Sequence, residues 1–325
     1  MKAVGLFSGG LDSALAIKLM QDQGIEVIAL NFISPFCTCT GGGCSITELA
    51  KKLGVEVIMM KKGADYMRIL RRPKFGYGKN MNPCIDCKIY ILKKAKQYAK
   101  KIGAKFLFTG EVVGQRPMSQ KTNTLMQIEK EAGLKNKLLR PLCAAHLPET
   151  EAEKKGWIDR NKLLNITGRG RTRQLDIAEE YKIKGFMCGG GGCRLTHEEY
   201  GRKIKDYFEH TKKTRMRDII LLNYGRHFRH RQNKIIVGRN SFENEKLLTL
   251  RGKGELVFEV LGHGSPVTLL QGKPTAGAVK MAAELTARYS DAKSEQVSVN
   301  YGKETLDQKK IVSILTDAYI DNYRI

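Results

Sequence analysis

"AVGLFSGGLDSALAIKLMQDQG" (3–24) is the stretch from which the rest of the chain can be read. A short apolar run ends in Gly-Gly, and a segment with helical spacing follows and stops at Gly24. A Gly-rich turn between a buried strand and a helix favours phosphate. Its N–H groups converge, and the helix N-terminus adds positive potential. Ser8, Gly9, Gly10 and Ser13 are therefore candidate phosphate ligands. Asp12 would sit badly against bare phosphate but suits a Mg²⁺ ion that bridges phosphates. No GK[ST] follows, so the turn is not a Walker A loop.

Downstream, "IEVIALNF" (25–32), "VEVIMM" (55–60) and "AKFLFTG" (104–110) read as strands. "SITELAKKLG" (45–54) and "CIDCKIYILKKAKQYAKKIG" (84–103) read as helices between them. This alternation predicts an α/β fold, a parallel sheet with helices on both faces. Ligands of such sheets bind beyond the carboxyl ends of the strands. The segments expected there are Ser8–Ser13, Asn31–Ser45 and Thr109–Gln120. The alternation weakens from about residue 140. We expect a nucleotide-binding catalytic domain over 1–165 and a basic connector with a Gly-rich Cys loop over 166–215. A smaller α+β domain is expected over 216–325.

The chain has 325 residues and a formal net charge of +24, with 57 Lys+Arg against 33 Asp+Glu. That imbalance exceeds what solvated ion pairs explain and points to a polyanion, nucleic acid first. The excess is +19 over residues 1–216 and +5 over 217–325, which puts the polyanion mainly against the first two-thirds. No apolar run is long enough to span a membrane, and the first strand begins at once, so a cytoplasmic protein without a signal peptide is expected. In a reducing compartment, clustered cysteines are more often ligands or catalysts than disulfides.

"SGGLDS" (8–13) resembles the signature of the PP-loop ATP pyrophosphatases, a family that includes synthetases and tRNA thiolases. The resemblance implies cleavage of ATP between the α- and β-phosphates and adenylation of a carbonyl-type oxygen. It implies adenine near Asn31 and Phe32 at the end of the second strand. It also implies a second nucleotide segment at Thr109, Gly110 and Glu111, where related thiouridylases have TGH rather than TGE.

"NPCIDCK" (82–88) carries Cys84 and Cys87, and "FMCGGGGCRLT" (186–196) carries Cys188 and Cys193. A CxxC alone is compatible with a redox pair, half of a zinc site, or a cluster. In the resemblance, some tRNA thiolases hold a [4Fe–4S] cluster with two cysteines at this point and a third far downstream. Cys84, Cys87 and Cys193 would be that set, with Cys193 favoured over Cys188 because it occupies the GGCxLT position. Three thiolates leave one iron open for hydrosulfide, which a thiolase needs because adenylation only activates the uracil oxygen. Zinc, with His197 as a fourth ligand, and thiol or persulfide catalysis without a cluster are the other readings. "PFCTCTGGGC" (35–44) places Cys37, Cys39 and Cys44 in a Gly-rich loop, as a second metal site, a sulfur relay or inert thiols; Cys143 reads as core.

"ILRRPKFGYGKN" (69–80), with Arg71 and Arg72, and "GRGRTRQ" (168–174), with Arg169, Arg171 and Arg173, read as RNA-contacting loops, joined by Arg116 near the nucleotide. Gln115 and Ser119 are candidates to orient RNA or ATP. "GRHFRHR" (225–231) reads either as RNA contact or as an edge strand blunted by charge. The segment 222–248 resembles the NFACT-R segments of ribosome-associated factors, which implies RNA contact. The whole reading is an ATP-dependent tRNA sulfurtransferase using ATP, Mg²⁺ and a [4Fe–4S] cluster. Its partners would be tRNA and a sulfur donor, either inorganic sulfide or a persulfide carrier. The alternatives are an adenylating amidotransferase or ligase, and a non-enzymatic RNA- or ribosome-binding factor.

Overall fold

The computed structural model describes residues 1–38, 46–186 and 192–325. Cys39, Cys44 and Cys188 lie outside them. Two compact units divide between Thr196 and His197, ahead of the boundary at 216 expected from the sequence.

The first unit runs β1 (Lys2–Leu6), α1 (Leu11–Gln21), β2 (Glu26–Ile33), α2 (Ile46–Leu53), β3 (Glu56–Lys61), α3 (Ala64–Arg71), α4 (Cys84–Lys101), β4 (Phe106–Thr109), α5 (Thr122–Ala132), β5 (Leu138–Leu139), α6 (Glu151–Lys154) and α7 (Thr172–Glu180). Its five strands are parallel in the order β3-β2-β1-β4-β5. The period-2 alternation of the strands sends neighbouring residues to opposite faces. Ala3, Val27, Ala29, Phe106 and Phe108 pack with α1, α2 and α7. Val4, Ile28, Leu30 and Leu107 pack with α4 and α5. Helix α1 buries Leu11, Ala14, Leu15, Ile17, Leu19 and Met20, which leaves it apolar almost all round, as a helix between sheet and α7 must be. The expected parallel sheet with helices on both faces is the observed one. The strand order reverses between β1 and β4, beside the strand that feeds the Gly-rich turn.

The second unit runs α8 (Glu198–His210), α9 (Met216–Leu221), β6 (Arg226–His230), β7 (Asn233–Val237), α10 (Ser241–Thr249), β8 (Leu256–Glu259), β9 (Thr268–Gln271), α11 (Ala276–Arg288), β10 (Gln296–Gly302), β11 (Gln308–Ser313) and α12 (Asp317–Asp321). Its antiparallel sheet has the order β11-β10-β8-β9-β7-β6. Helix α11 covers one face through Ala278, Met281, Ala282 and Leu285. Leu221 and Leu247 cover the other.

Of the two readings of "GRHFRHR", the edge strand describes its place in the sheet. β6 is the terminal strand, and the Ile325 N–H donates to the His227 carbonyl alongside it. Arg229 is engaged by the carboxylate of Asp206 at 2.6 and 2.8 Å, and Arg226 stacks on the Tyr289 ring at 4.4 Å. No described helix is long and apolar enough to cross a membrane.

Candidate active site

The turn from β1 into α1 is built by its own side chains. Gly9 has φ 76°, a left-handed conformation that only glycine adopts without cost, and it lets the chain double back. Ser13 Oγ donates to the Gly10 carbonyl at 2.8 Å and accepts from the Ser8 N–H at 3.3 Å, so the loop is braced from inside. From the neighbouring strand end, Gly110 approaches so closely that a Cβ there would stand 2.4 Å from the Asp12 carbonyl oxygen. Only glycine permits β4 to pack its "TGE" segment against the start of α1.

Around this turn lies a cavity of about 650 Å³ at the carboxyl ends of β1, β2 and β4. Ser8, Gly10, Asp12 and Ser13 line it, with Asn31 and Phe32 from β2 and Thr109, Gly110 and Glu111 from β4. Apart from Gly9, the residues expected to bind the nucleotide therefore share one pocket. Asn31 also ties two strand ends together, its Nδ2 donating to the Phe7 carbonyl at 2.8 Å.

Asp12 is mostly buried, at 17% side-chain exposure, and its Oδ2 meets Arg171 Nη2 at 3.3 Å. Its Oδ1 is buried with no hydrogen-bond partner among the described residues. A buried carboxylate oxygen without a partner is costly unless a cation completes it. This atom fits the Mg²⁺ role argued from the sequence.

Arg171 is thus turned towards the phosphate loop rather than lying free in an RNA-contacting ribbon. The Gly168 N–H donates to the Val113 carbonyl at 2.8 Å, hanging the "GRGR" loop from the segment after β4. Arg169 and Arg173 stay exposed on either side of it. Arg116 lines the cavity, whereas Arg71 and Arg72 end α3 away from its walls. The 69–80 loop is also less free than its glycines suggest. Asp86 accepts the N–H groups of Lys74 and Phe75 at 2.9 and 3.0 Å and pins it to α4.

Several cavity residues are not singled out by the sequence, although Thr38 and Gln120 fall within the Asn31–Ser45 and Thr109–Gln120 segments expected there. Thr38 and Gly192 line the cavity, as do Lys88 and Gln120, whose Oε1 is buried without a partner among the described residues. A helical-face argument could have found Lys88. Cys84, Cys87, Lys88 and Ile91 are spaced i, i+3, i+4 and i+7 on α4, and the last two line the cavity. Lys88 pairs with Glu111, which also accepts from Arg140 Nε at 3.0 Å. Arg140 reaches on to Glu129 and is only 1% exposed.

Burial pushes the Glu111 carboxyl up, but Lys88 and Arg140 outweigh it and hold it at about 2, against 4.5 for a free glutamate. Because the folded value is the depressed one, the contribution of Glu111 to stability is complete above pH 4.5 and is lost as the pH falls towards 2. Arg140→Leu would strand two buried carboxylates and is expected to cost about 3–5 kcal/mol of unfolding free energy, measured by urea denaturation. A change within about 0.5 kcal/mol, the range of surface substitutions, would show that the network bears no load.

The thiols lie beside the same cavity. Lys62 Nζ is 3.0 Å from Cys87 Sγ and stands over the Tyr66 ring at 4.7 Å. Burial pushes the Cys193 thiol up to about 11, and charge on Cys87 and Cys84 adds to the effect. The Cys84 thiol is raised by burial and by Cys87, while Lys88 and Arg116 of the cavity wall act against the rise. Cys84, Cys87 and Cys193 thus share one electrostatic neighbourhood, although no group of three or more His, Cys, Asp or Glu among the described residues is arranged to hold a metal ion. In kind, three cysteine sulfurs are the donors a thiolate-bound centre uses, and Lys62 Nζ donates to one of them, Cys87 Sγ. Cys143 is fully buried, its Sγ donating to the Glu111 carbonyl at 3.2 Å, in keeping with a core residue.

Residues 1–151 match the family described as thiamine biosynthesis protein (ThiI), and residues 225–324 match the NFACT protein RNA-binding domain. The ThiI match thus falls on the part of the chain that holds the Gly-rich turn, and the NFACT match on the C-terminal part. It is 32% identical over 205 residues to a probable tRNA sulfurtransferase of Thermococcus kodakarensis, covering 62% of this chain and 49% of that protein. It is 31% identical over 119 residues to the tRNA-specific 2-thiouridylase MnmA of Coxiella burnetii, covering 33% of each. The chain therefore spans about half the length of the first relative and a third of the second. Among solved structures, it resembles a 4-thiouridine synthetase–RNA complex with bound ATP at 19% identity and TM-score 0.38, covering 68% of this chain and 52% of that one. It also resembles the U34-tRNA thiolase NcsA of Methanococcus maripaludis, solved with its [4Fe–4S] cluster, at 18% identity and TM-score 0.33, covering 68% and 72%.

Proposed function

We propose that the chain is an ATP-dependent tRNA sulfurtransferase. The observation that carries this reading is one cavity of about 650 Å³ with a braced PP-loop on one wall and, on another, the α4 face that begins with Cys84 and Cys87. ATP activation and sulfur delivery need adjacent sites, because the adenylated base must meet the sulfur before water does.

In this reading, loop N–H groups and the N-terminal end of α1 hold the β- and γ-phosphates, and Asp12 Oδ1 takes the Mg²⁺ ion. A uridine carbonyl oxygen attacks the α-phosphorus, the bond to the β-phosphate breaks, and pyrophosphate leaves on the loop. Lys88, Arg116 and Arg171 supply the positive charge that favours the developing phosphate charge. Sulfur then adds at the activated carbon, the C–O bond breaks and AMP departs.

Cys84, Cys87 and Cys193 would hold a [4Fe–4S] cluster, which when bound supplies a sulfide nucleophile at the iron the protein leaves free. Lys62 Nζ donates to Cys87 Sγ and orients it. The base has to leave its stack to enter the cavity. The NFACT-R segment and the exposed Arg169 and Arg173 would hold tRNA.

The test is incubation of purified protein with ATP, Mg²⁺, tRNA and sulfide, followed by nucleoside mass spectrometry and assay of AMP. Thiolated uridine with stoichiometric AMP is expected. AMP without thiolation would favour another adenylating ligase, and neither product would leave an RNA-binding factor. Arg169→Ala combined with Arg173→Ala should reduce the slope of log K against log salt for tRNA by about 1 to 2, since each phosphate contact releases counterions. An unchanged slope would remove that patch from the RNA surface.

A further inference from the structure

Cys37 has no part in the chemistry above, yet its position is specific. It is joined to Cys193 by an isolated antiparallel bridge. The flanking hydrogen bonds run from the Arg194 N–H to the Phe36 carbonyl at 2.7 Å and from the Thr38 N–H to the Gly192 carbonyl at 3.3 Å. Cys37 and Cys193 are therefore the non-hydrogen-bonded pair of this ladder, the narrow kind in which opposed Cα atoms stand about 4.5 Å apart with side chains on one face. A disulfide requires Cα atoms about 4.4–6.8 Å apart. The register meets that requirement without moving the backbone. Both thiols are half-buried, and the bridge puts the neighbouring Thr38 and Gly192 on the cavity wall.

We propose that Cys37 is the redox partner of Cys193, and that the two close a reversible disulfide which withdraws Cys193 from the metal-binding set. With hydrogen peroxide as oxidant, one S–S bond forms, and the two thiols give up two protons and two electrons. The peroxide O–O bond breaks and two waters leave. A dithiol reductant reverses the step by exchange. The disulfide itself follows from the strand register alone; only its consequence for metal rests on the reading of Cys193 as a cluster ligand.

The test uses the full chain, stripped of metal and treated with one equivalent of hydrogen peroxide. Remaining thiols are alkylated, the protein is digested without reduction, and the cross-link is located by fragment ions. A Cys37–Cys193 link with Cys84 and Cys87 alkylated is expected. A link from Cys193 to Cys84, Cys87 or Cys188, or recovery of Cys193 as the alkylated thiol, overturns the proposal.

Iron content after anaerobic reconstitution is the second readout. Prior oxidation should lower iron uptake by the wild type at least about fivefold, as expected when a ligand thiol is lost, and dithiothreitol should restore it. Cys37→Ser should take up iron without peroxide as the wild type does. Undiminished iron uptake by fully cross-linked protein overturns the competition. A wild type that forms the link but never takes up iron would sink the cluster reading and leave the redox pair standing.

Discussion

Asp12→Ala is expected to lower ATP-dependent pyrophosphate release by about a thousandfold, the rate equivalent of losing about 4 kcal/mol of metal-based charge stabilisation. The reason is local. Asp12 Oδ1 is the buried carboxylate oxygen of the loop with no partner among the described residues, and no other carboxylate of the PP-loop stands ready to replace it. The substitution should leave tRNA affinity nearly unchanged, because it removes a negative charge that Arg171 already neutralises in part. Pyrophosphate release and filter binding of tRNA, measured on the same preparation, separate the two effects. Release that persists in Asp12→Ala would take the metal role from Asp12. A parallel collapse of tRNA binding would instead mean that the Arg171 loop depends on Asp12 for its place.

Cys193→Ala should abolish thiolation and cluster iron while pyrophosphate release survives. In the proposed mechanism the two chemistries would use one cavity but different side chains. Cys193 enters from a segment held against Phe36 and Thr38, whereas the phosphate loop is braced by Ser8 and Ser13. Burial and the nearby thiols disfavour a lone thiolate at Cys193, and that arrangement suits a residue completed by metal more than a free nucleophile. Iron analysis, thiouridine quantification and pyrophosphate release are the measurements. Thiolation retained in Cys193→Ala, together with its loss in Cys188→Ala, would move the third ligand to Cys188. Stoichiometric zinc without iron in anaerobically prepared wild type would replace the cluster altogether.

Much of this could be read along the chain because it depends on neighbours in sequence. The apolar run, the glycines and the helix after them set the PP-loop, since a phosphate turn needs only a strand, flexible backbone and a helix N-terminus in succession. Alternating strand and helix patterns led to the parallel sheet, and that sheet brings Asn31, Phe32 and the Thr109–Glu111 segment to one edge. The excess of positive charge and the CxxC at the head of α4 were equally local signals.

Only the tertiary structure decided the pairings between distant segments. Nothing in "GRGRTRQ" distinguishes an arginine that meets RNA from one that meets Asp12, 159 residues earlier. Glu111, legible only as a departure from a family pattern, is locked between Lys88 and Arg140, which come from α4 and the end of β5. In "GRHFRHR", Arg229 is paired with Asp206, a partner 23 residues earlier that its own stretch does not reveal. Cys37 faces Cys193 because two strand segments meet in one register, and a slip of one strand by one residue would put the two thiols on opposite faces. Propensity and spacing act over a few residues. Charge neutralisation, metal-ligand sets and strand register are satisfied by whatever the folded chain brings within a few ångströms, and that proximity is a property of the topology alone.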